Sequence, residues 1–163
     1  MLYRNRNARN IDEKCREVLR DLRFKLKLVP PTDTLHRHFT HYAVVVCSGA
    51  LERAFKSIIA DYVTIGANIQ LCEFIDKKIR QSSCNPRLDE IKKLLGAFDD
   101  NWLVAYKGCL SQLSQRNRDA LASIVENRNK VAHGGTITAS FYDIAKYYYL
   151  ARVVVGKLED VLV

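Results

Sequence analysis

The chain has 163 residues, of which 48% are apolar and 27% charged, and its formal net charge is +8. This ordinary composition predicts a single domain, residues 1–163, with enough apolar residues for a substantial core. The most apolar runs, 43–47 and 153–155, are too short to cross a bilayer, and no apolar signal segment begins the chain. Five cysteines without a C-x-x-C pair or a zinc-like Cys/His spacing predict free thiols in a cytoplasmic protein.

Positive charge is concentrated in two segments. Residues 1–30 hold nine Lys and Arg against four Asp and Glu, and residues 77–93 hold six against two. Such an excess raises the affinity for polyanions, RNA included, in a salt-dependent way. The same segments are equally consistent with a solvated basic surface that has no dedicated ligand.

Apolar residues recur with the helical period along almost the whole chain after residue 10, and no segment alternates as a strand does. Residues 1–9 are polar and basic, so we expect them to fray. The second helix has a very apolar middle, which predicts that it is the central helix. The pattern predicts an all-α antiparallel bundle of about five to six helices. The helical segments are 11–28, 35–65, 69–81, 87–97, one that carries Trp102 to Leu110, one that ends near residue 133, and one from about 140 to the C-terminus.

Breakers and capping residues separate these helices. Pro30-Pro31 ends the first, and residues 32–34 supply a cap for the second. Residues 82–86 form the clearest loop, in which Asn85 can serve as an N-cap with Pro86 as the first helical residue. Gly134-Gly135 predicts a left-handed helix stop, and Ser140, three residues before an aspartate, predicts a capping box for the last helix.

The segment 128–133, at the end of a predicted helix, combines an arginine, an asparagine and a histidine. An arginine can hold a phosphate through two hydrogen bonds, and a histidine can exchange a proton near neutral pH. Asn129 and His133 share a helix face, but Arg128 and His133 lie roughly 140° apart around the axis. They can converge only if the arginine wraps, the last turn is irregular, or a second subunit supplies one of them. The alternative is an ordinary basic helix terminus.

Three stretches of the chain together resemble one known family. The stretch 127–134 resembles the Arg–His signature of the HEPN superfamily, and 46–55 resembles the acidic motif of its long early helix. Residues 85–98 are similar to the central stretch of the RiboL-PSP-HEPN subgroup. Together the resemblance covers about residues 35–160.

The resemblance implies an all-α ribonuclease domain, active as a homodimer without a metal or other cofactor, of the kind found in prokaryotic defence and toxin–antitoxin systems. By this resemblance His133 would transfer protons, Arg128 would hold the phosphate, and Asn129 would orient the histidine or contact phosphate. Glu52 would pair with Arg128, although Lys56, four residues on, offers it an ordinary surface pair.

The remaining expectations concern ligands and partners. Lys130 and Arg53 are candidates for RNA contacts. An antitoxin or a nucleotidyltransferase is a possible partner, and no membrane contact is expected. The histidines 36, 38 and 41 are not spaced to share one helix face, so they predict no metal site. The alternative functions are a non-catalytic HEPN-like module that binds RNA, nucleotide or protein, and a purely structural bundle.

Overall fold

The computed structural model describes residues 2–30 and 32–162, which form seven α-helices and no β-strand. The expected all-α class is confirmed: each of the seven predicted helical segments forms a helix, so the bundle has more than the five to six helices expected for it. The helices are α1 (Arg6–Leu26), α2 (Thr34–Val63), α3 (Ile69–Ile75), α4 (Leu88–Phe98), α5 (Asp100–Ser111), α6 (Gln115–Ala132) and α7 (Phe141–Gly156). A π-helical turn, Asp76–Arg80, continues α3, and a 3₁₀ turn, Lys157–Asp160, follows α7.

Helix α2 lies at the centre of the bundle, where it contacts α1, α6 and α7. Most of its predicted apolar middle and of its second half is buried against these neighbours, whereas Tyr42 and Val45 in the middle stay exposed. No helix in the described part of the chain is long and apolar enough to cross a membrane.

The helix directions follow from three long-range contacts. Asn5, before α1, donates to Asp61 near the end of α2, so α1 and α2 run antiparallel. Asn117 in the first turn of α6 donates to the carbonyl of Leu150 in α7, which makes that pair antiparallel as well. Glu159, just after α7, bonds the backbone N–H of Asn5. Helices α2 and α7 therefore run parallel to each other, which the expectation of an antiparallel bundle did not include.

Local capping chemistry agrees with most of the predicted boundaries. Asp33 caps α2, Asp99 caps α5, and Ser140 forms the predicted capping box with Asp143. Asn85 is not the N-cap of α4, because Arg87 occupies that position and the helix begins at Leu88. The Asn85 side chain bonds across to α6 instead.

The expectation of a frayed N-terminus is wrong for residues 2–9. Helix α1 begins at Arg6, and Asn5 caps it by accepting a hydrogen bond from the Ala8 N–H. Tyr3 is buried and donates to the carbonyl of Arg152, and Arg4 bonds Glu159. These anchors lie about 150 residues away along the chain, so the local polar composition did not reveal them.

A buried polar network joins α1 to α7. The carboxylate of Asp12 accepts from the Tyr148 hydroxyl at 2.9 Å and from Arg152 at 2.7 and 3.0 Å. Because Asp12 is almost fully buried, these donors replace the water it loses on folding. The network fixes the position of α1 against the last helix.

Candidate active site at the end of helix α6

Helix α6 ends in a Schellman motif at the two glycines. The Gly135 N–H donates to the Lys130 carbonyl at 2.7 Å, and the Gly134 N–H donates to the Val131 carbonyl at 3.2 Å. Gly134 has φ +71°, a conformation that side chains with a Cβ rarely adopt. His133 is the C-cap residue, with φ −99° and ψ 15°, so the last turn departs from regular helix geometry. The predicted glycine stop is confirmed.

The His133 imidazole is exposed, and within the described part of the chain it has no hydrogen-bond partner. No hydrogen bond or ion pair joins it to Arg128 in the single chain. An exposed imidazole is free to meet a ligand or a second copy of the protein. The ring is therefore available for proton transfer but is not oriented by this chain alone.

Arg128 is half-buried, and Asn129 is its closest polar neighbour. Nη1 of Arg128 donates to Oδ1 of Asn129 at 3.5 Å, and Nδ2 of Asn85 donates to the same oxygen at 3.3 Å. No carboxylate pairs with Arg128 among residues 2–30 and 32–162. A guanidinium has five N–H donors, so most of those on Arg128 remain available to an anion.

Glu52 faces the loop between the π-helical turn and α4. Its Oε1 accepts from Nζ of Lys56 at 2.5 Å and from the backbone N–H of Cys84 at 2.9 Å. The expected pair between Glu52 and Arg128 does not occur in the single chain. The alternative partner, Lys56, is the one observed, but this pair is not on the surface, since the Lys56 side chain is 4% exposed and that of Glu52 is 21% exposed.

Lys56 is buried because the loop covers it. Its ammonium also donates to the carbonyl of Ser82, so one lysine connects α2 to the loop backbone. A buried ammonium requires a nearby negative charge, which Glu52 provides. The ion pair thereby holds residues 82–84 against α2.

The loop in turn contacts the Arg–His segment through Asn85. Glu52 holds the N–H of Cys84, and the next residue, Asn85, bonds Asn129. Glu52 is therefore linked to Asn129 through the loop and forms no bond with Arg128. Sequence reasoning missed Asn85, which it assigned to a helix cap, and it missed the buried role of Lys56. The signals were the position of Lys56 four residues after Glu52 and the inclusion of Asn85 in a family-like segment.

The two residues predicted to contact RNA are exposed. Lys130 pairs with Glu126 one turn earlier, at 2.7 Å, and this contact lowers the pKa of Glu126. Arg53 donates to the carbonyl of Gly49 on its own helix. Neither side chain forms a hydrogen bond or ion pair with Arg128, Asn129 or His133, and both are exposed to solvent.

An open groove of about 600 Å³ lies between the start of α4 and the outer face of α6. Asn129 is part of its wall, together with the exposed Arg87 from the start of α4. Acidic residues, Asp89 and Glu126 among them, also line the groove, so its charge is mixed. The groove gives a polar ligand access to Asn129.

Neither a cysteine nucleophile nor a metal cluster is evident near this site. Burial raises the pKa of the Cys84 thiol above its ordinary value, although Lys56 acts in the opposite direction, so the thiol is protonated near neutral pH. Within the described ranges, no three His, Cys, Asp or Glu side chains lie close enough to bind one metal ion.

A family model described as RiboL-PSP-HEPN matches residues 13–163, which include every residue of this site. The match confirms the family resemblance that the three sequence stretches indicated. No curated protein and no solved structure matches the chain.

Proposed function

Since this chain belongs to the RiboL-PSP-HEPN family, we propose that it is an endoribonuclease that needs no metal and works as a homodimer. The observation that supports this proposal most strongly is that Arg128 forms no ion pair with an acidic residue among the described residues. This arginine has no acidic partner in the described part of the chain and lies beside an asparagine held in place by the loop. A guanidinium left without a carboxylate is suited to bind a phosphate.

In the proposed reaction the His133 imidazole removes the proton from a ribose 2′-hydroxyl. The 2′-oxygen attacks the adjacent phosphorus, and the bond from phosphorus to the 5′-oxygen breaks. Arg128 neutralises the charge that grows on the non-bridging oxygens. The 5′-oxygen leaves with a proton from an imidazolium or from water, and the products are a 2′,3′-cyclic phosphate and a 5′-hydroxyl end. Asn129 orients the phosphate or His133.

The homodimer is proposed because one chain leaves Arg128 and His133 unconnected. Two copies related by a two-fold axis would bring two such segments to one cleft. Helix α2 offers an apolar surface for this contact, since Tyr42 and Val45 are each 52% exposed. At Gly49, one turn further along, an added Cβ would meet no atom within 4 Å, which leaves room for a close helix approach.

The decisive experiment is incubation of the purified protein with RNA in the presence of EDTA, followed by analysis of the product ends. We expect cleavage with cyclic phosphate ends by the wild type and loss of cleavage in His133→Ala and Arg128→Ala. The matched control for Arg128→Ala is Arg20→Ala, since Arg20 is an exposed arginine on α1, away from the proposed dimer surface on α2. Full activity of His133→Ala would refute the assignment.

Lys130 and Arg53 are proposed to contact the RNA outside the reacting phosphate, because both are exposed and basic. We also propose a cytoplasmic role in prokaryotic defence or a toxin–antitoxin pair, with an antitoxin or a nucleotidyltransferase as partner. Expression of the wild type in bacteria would then arrest growth, whereas His133→Ala would not. Equal growth of the two strains would argue against this role.

A second candidate is a non-catalytic module that binds RNA or nucleotide. It is favoured by one observation, the lack of any contact between Arg128 and His133 within the chain. This alternative predicts salt-sensitive RNA binding that Arg128→Ala weakens, with no product at any protein concentration. The EDTA experiment separates the two candidates.

A further inference from the structure

A second cavity, of about 230 Å³, is lined in part by Ser82 and Cys84 of the loop that precedes Asn85. Residues of helix α2, the π-helical turn, the loop and α4 line it, and it is open to solvent on one side. Its walls are mainly apolar and include Phe55, Ile79, Leu94 and Ala97. Phe55 and Ile79 are buried in the core, so the floor of the cavity is fixed by packing.

The π-helical turn shapes one wall of this cavity. The hydrophobic pattern predicts a regular helix to residue 81, but the backbone widens at Asp76–Arg80. Two adjacent residues of this turn, Lys78 and Ile79, both line the cavity. Single π-helical turns are uncommon and are found frequently at functional sites.

The mouth of the cavity carries basic residues without acidic partners. In the described part of the chain, neither Lys78 nor Lys93 forms an ion pair, whereas their sequence neighbours do. Lys77 lies 3.7 Å from Glu73, and Lys92 lies 3.9 Å from Asp89.

Two further polar groups line the cavity. Glu90 supplies a carboxylate, and the buried Lys56 lines the inner wall. An ammonium has three N–H donors, and Glu52 and Ser82 engage two of those on Lys56. Among the described residues, the third donor of Lys56 has no hydrogen-bond partner.

The cavity and the candidate active site share one loop. Ser82 and Cys84 line the cavity, and the next residue, Asn85, bonds Asn129. A single-stranded RNA that passes over this loop can therefore meet both the cavity and Asn129.

We propose that this cavity binds the base of one nucleotide in single-stranded RNA, next to the nucleotide that is cleaved, while Lys78 and Lys93 hold the flanking phosphates. The proposal rests on the proposed ribonuclease function. A cavity of about 150 Å³ admits benzene, so this one has room for a flat base. The free donor of Lys56 faces a carbonyl of the base and Glu90 accepts from its amino group. A duplex cannot enter, because its bases are stacked and paired.

The first test measures the affinity for single-stranded 2′-O-methyl RNA, which cannot be cleaved by 2′-hydroxyl attack. The double variant Lys78→Gln/Lys93→Gln is compared with Lys77→Gln/Lys92→Gln, which removes the same charge from neighbouring positions outside the cavity. We expect the first pair to weaken binding about ten-fold or more and the control pair about two-fold. We also expect the slope of log affinity against log salt to fall by about 1.4 in the first pair, since two phosphate contacts are lost. Equal effects of the two pairs would overturn the proposal.

The second test fills the cavity without changing charge. Ala97 is exposed at the rim, so Ala97→Trp is compatible with the fold, which circular dichroism will check. We expect about ten-fold weaker binding of single-stranded RNA and unchanged binding of a blunt RNA duplex. Bound oligonucleotide should also slow alkylation of Cys84 but not of Cys72 or Cys109, which lie outside the cavity. Wild-type affinity in Ala97→Trp, or no protection of Cys84, would contradict the inference.

These measurements keep the two proposals distinguishable. If the wild type binds RNA with the expected variant effects but never cleaves it, the ribonuclease function is refuted, while binding of an RNA base in the cavity is supported. Suppose instead that the wild type cleaves RNA, that the two lysine double variants lose equal affinity, and that Ala97→Trp binds RNA as the wild type does. The ribonuclease function is then supported, and binding of a base in the cavity is refuted.

Discussion

Replacing Lys56 by methionine removes the ammonium that holds the loop to α2 but keeps a side chain of similar length. The Glu52 carboxylate and the Ser82 carbonyl then lose their donor, and the carboxylate keeps the Cys84 N–H. Breaking a buried ion pair by removing one partner typically costs 3–5 kcal/mol. Because Glu52 is 21% exposed and can recruit water, we expect a loss near the lower end, about 3 kcal/mol.

A loss of this size is measurable in both chemical and thermal unfolding. For a chain of this length, about 3 kcal/mol corresponds to a fall in Tm of roughly 6–12 °C. Urea unfolding followed by circular dichroism gives the free energy of unfolding directly. The double variant Glu52→Gln/Lys56→Met should recover part of the loss, since it removes the unpaired charge and keeps an oxygen to accept the Cys84 N–H.

The chain contains a matched control on its surface. Lys130 pairs with Glu126 with the same i,i+4 spacing and a similar distance of 2.7 Å, but the two side chains are 46% and 66% exposed. Solvent and salt screen exposed pairs of this kind, so Lys130→Met should leave the urea midpoint and Tm close to those of the wild type. If Lys56→Met is no more destabilising than Lys130→Met, the reasoning that burial makes the Glu52 pair structurally important is refuted.

Three further predictions concern the loop, the helix stop and acid stability. Asn85→Ala should lower kcat for RNA about ten-fold with little change in KM or Tm, because Asn129 loses a contact that positions it. Gly134→Ala should cost about 1–2 kcal/mol in urea unfolding, because alanine is strained at φ +71°. Partial burial alone would raise the pKa of Asp61, but hydrogen bonds from Asn5 and Arg80 outweigh it and hold the pKa below its ordinary value. Since the folded pKa is the lower one, the ionised carboxylate stabilises the fold above about pH 4, and this contribution is lost as the pH falls through the folded pKa. Asp61→Asn should therefore reduce stability at neutral pH and flatten its decline in acid; an unchanged acid unfolding profile would contradict this.

The predicted caps were most accurate where both partners are close in sequence. Ser140 and Asp143 are three residues apart, and the bonds of Gly134 and Gly135 reach back three and five residues. Such contacts form within one turn, so residue type and spacing are sufficient to predict them. Asn85 had the right residue type for a cap, but its partner, Asn129, lies 44 residues further along the chain.

The N-terminal residues also show that a local sequence pattern does not predict contacts with distant parts of the chain. Their composition is polar and basic, which predicts fraying when only neighbours in sequence are considered. Tyr3 and Arg4 are instead held by Arg152 and Glu159, which α7 and the turn after it bring to the start of α1. A contact over this separation depends on the complete bundle.

The sequence by itself determined that the protein is helical, where most helices begin and end, which family signature it carries, and that Arg128, Asn129 and His133 are the candidate site. The helices and their ends follow from periodicity and capping, which act over a few residues, and the family and candidate site follow from the resemblance of three stretches to known motifs. Only the tertiary structure decided that Glu52 pairs with Lys56 rather than Arg128, that Asn85 supports Asn129, and that a π-helical turn opens a second cavity beside the loop. The physical reason is that hydrogen-bond partners and cavities depend on which helices pack together, and packing joins residues that no local pattern relates.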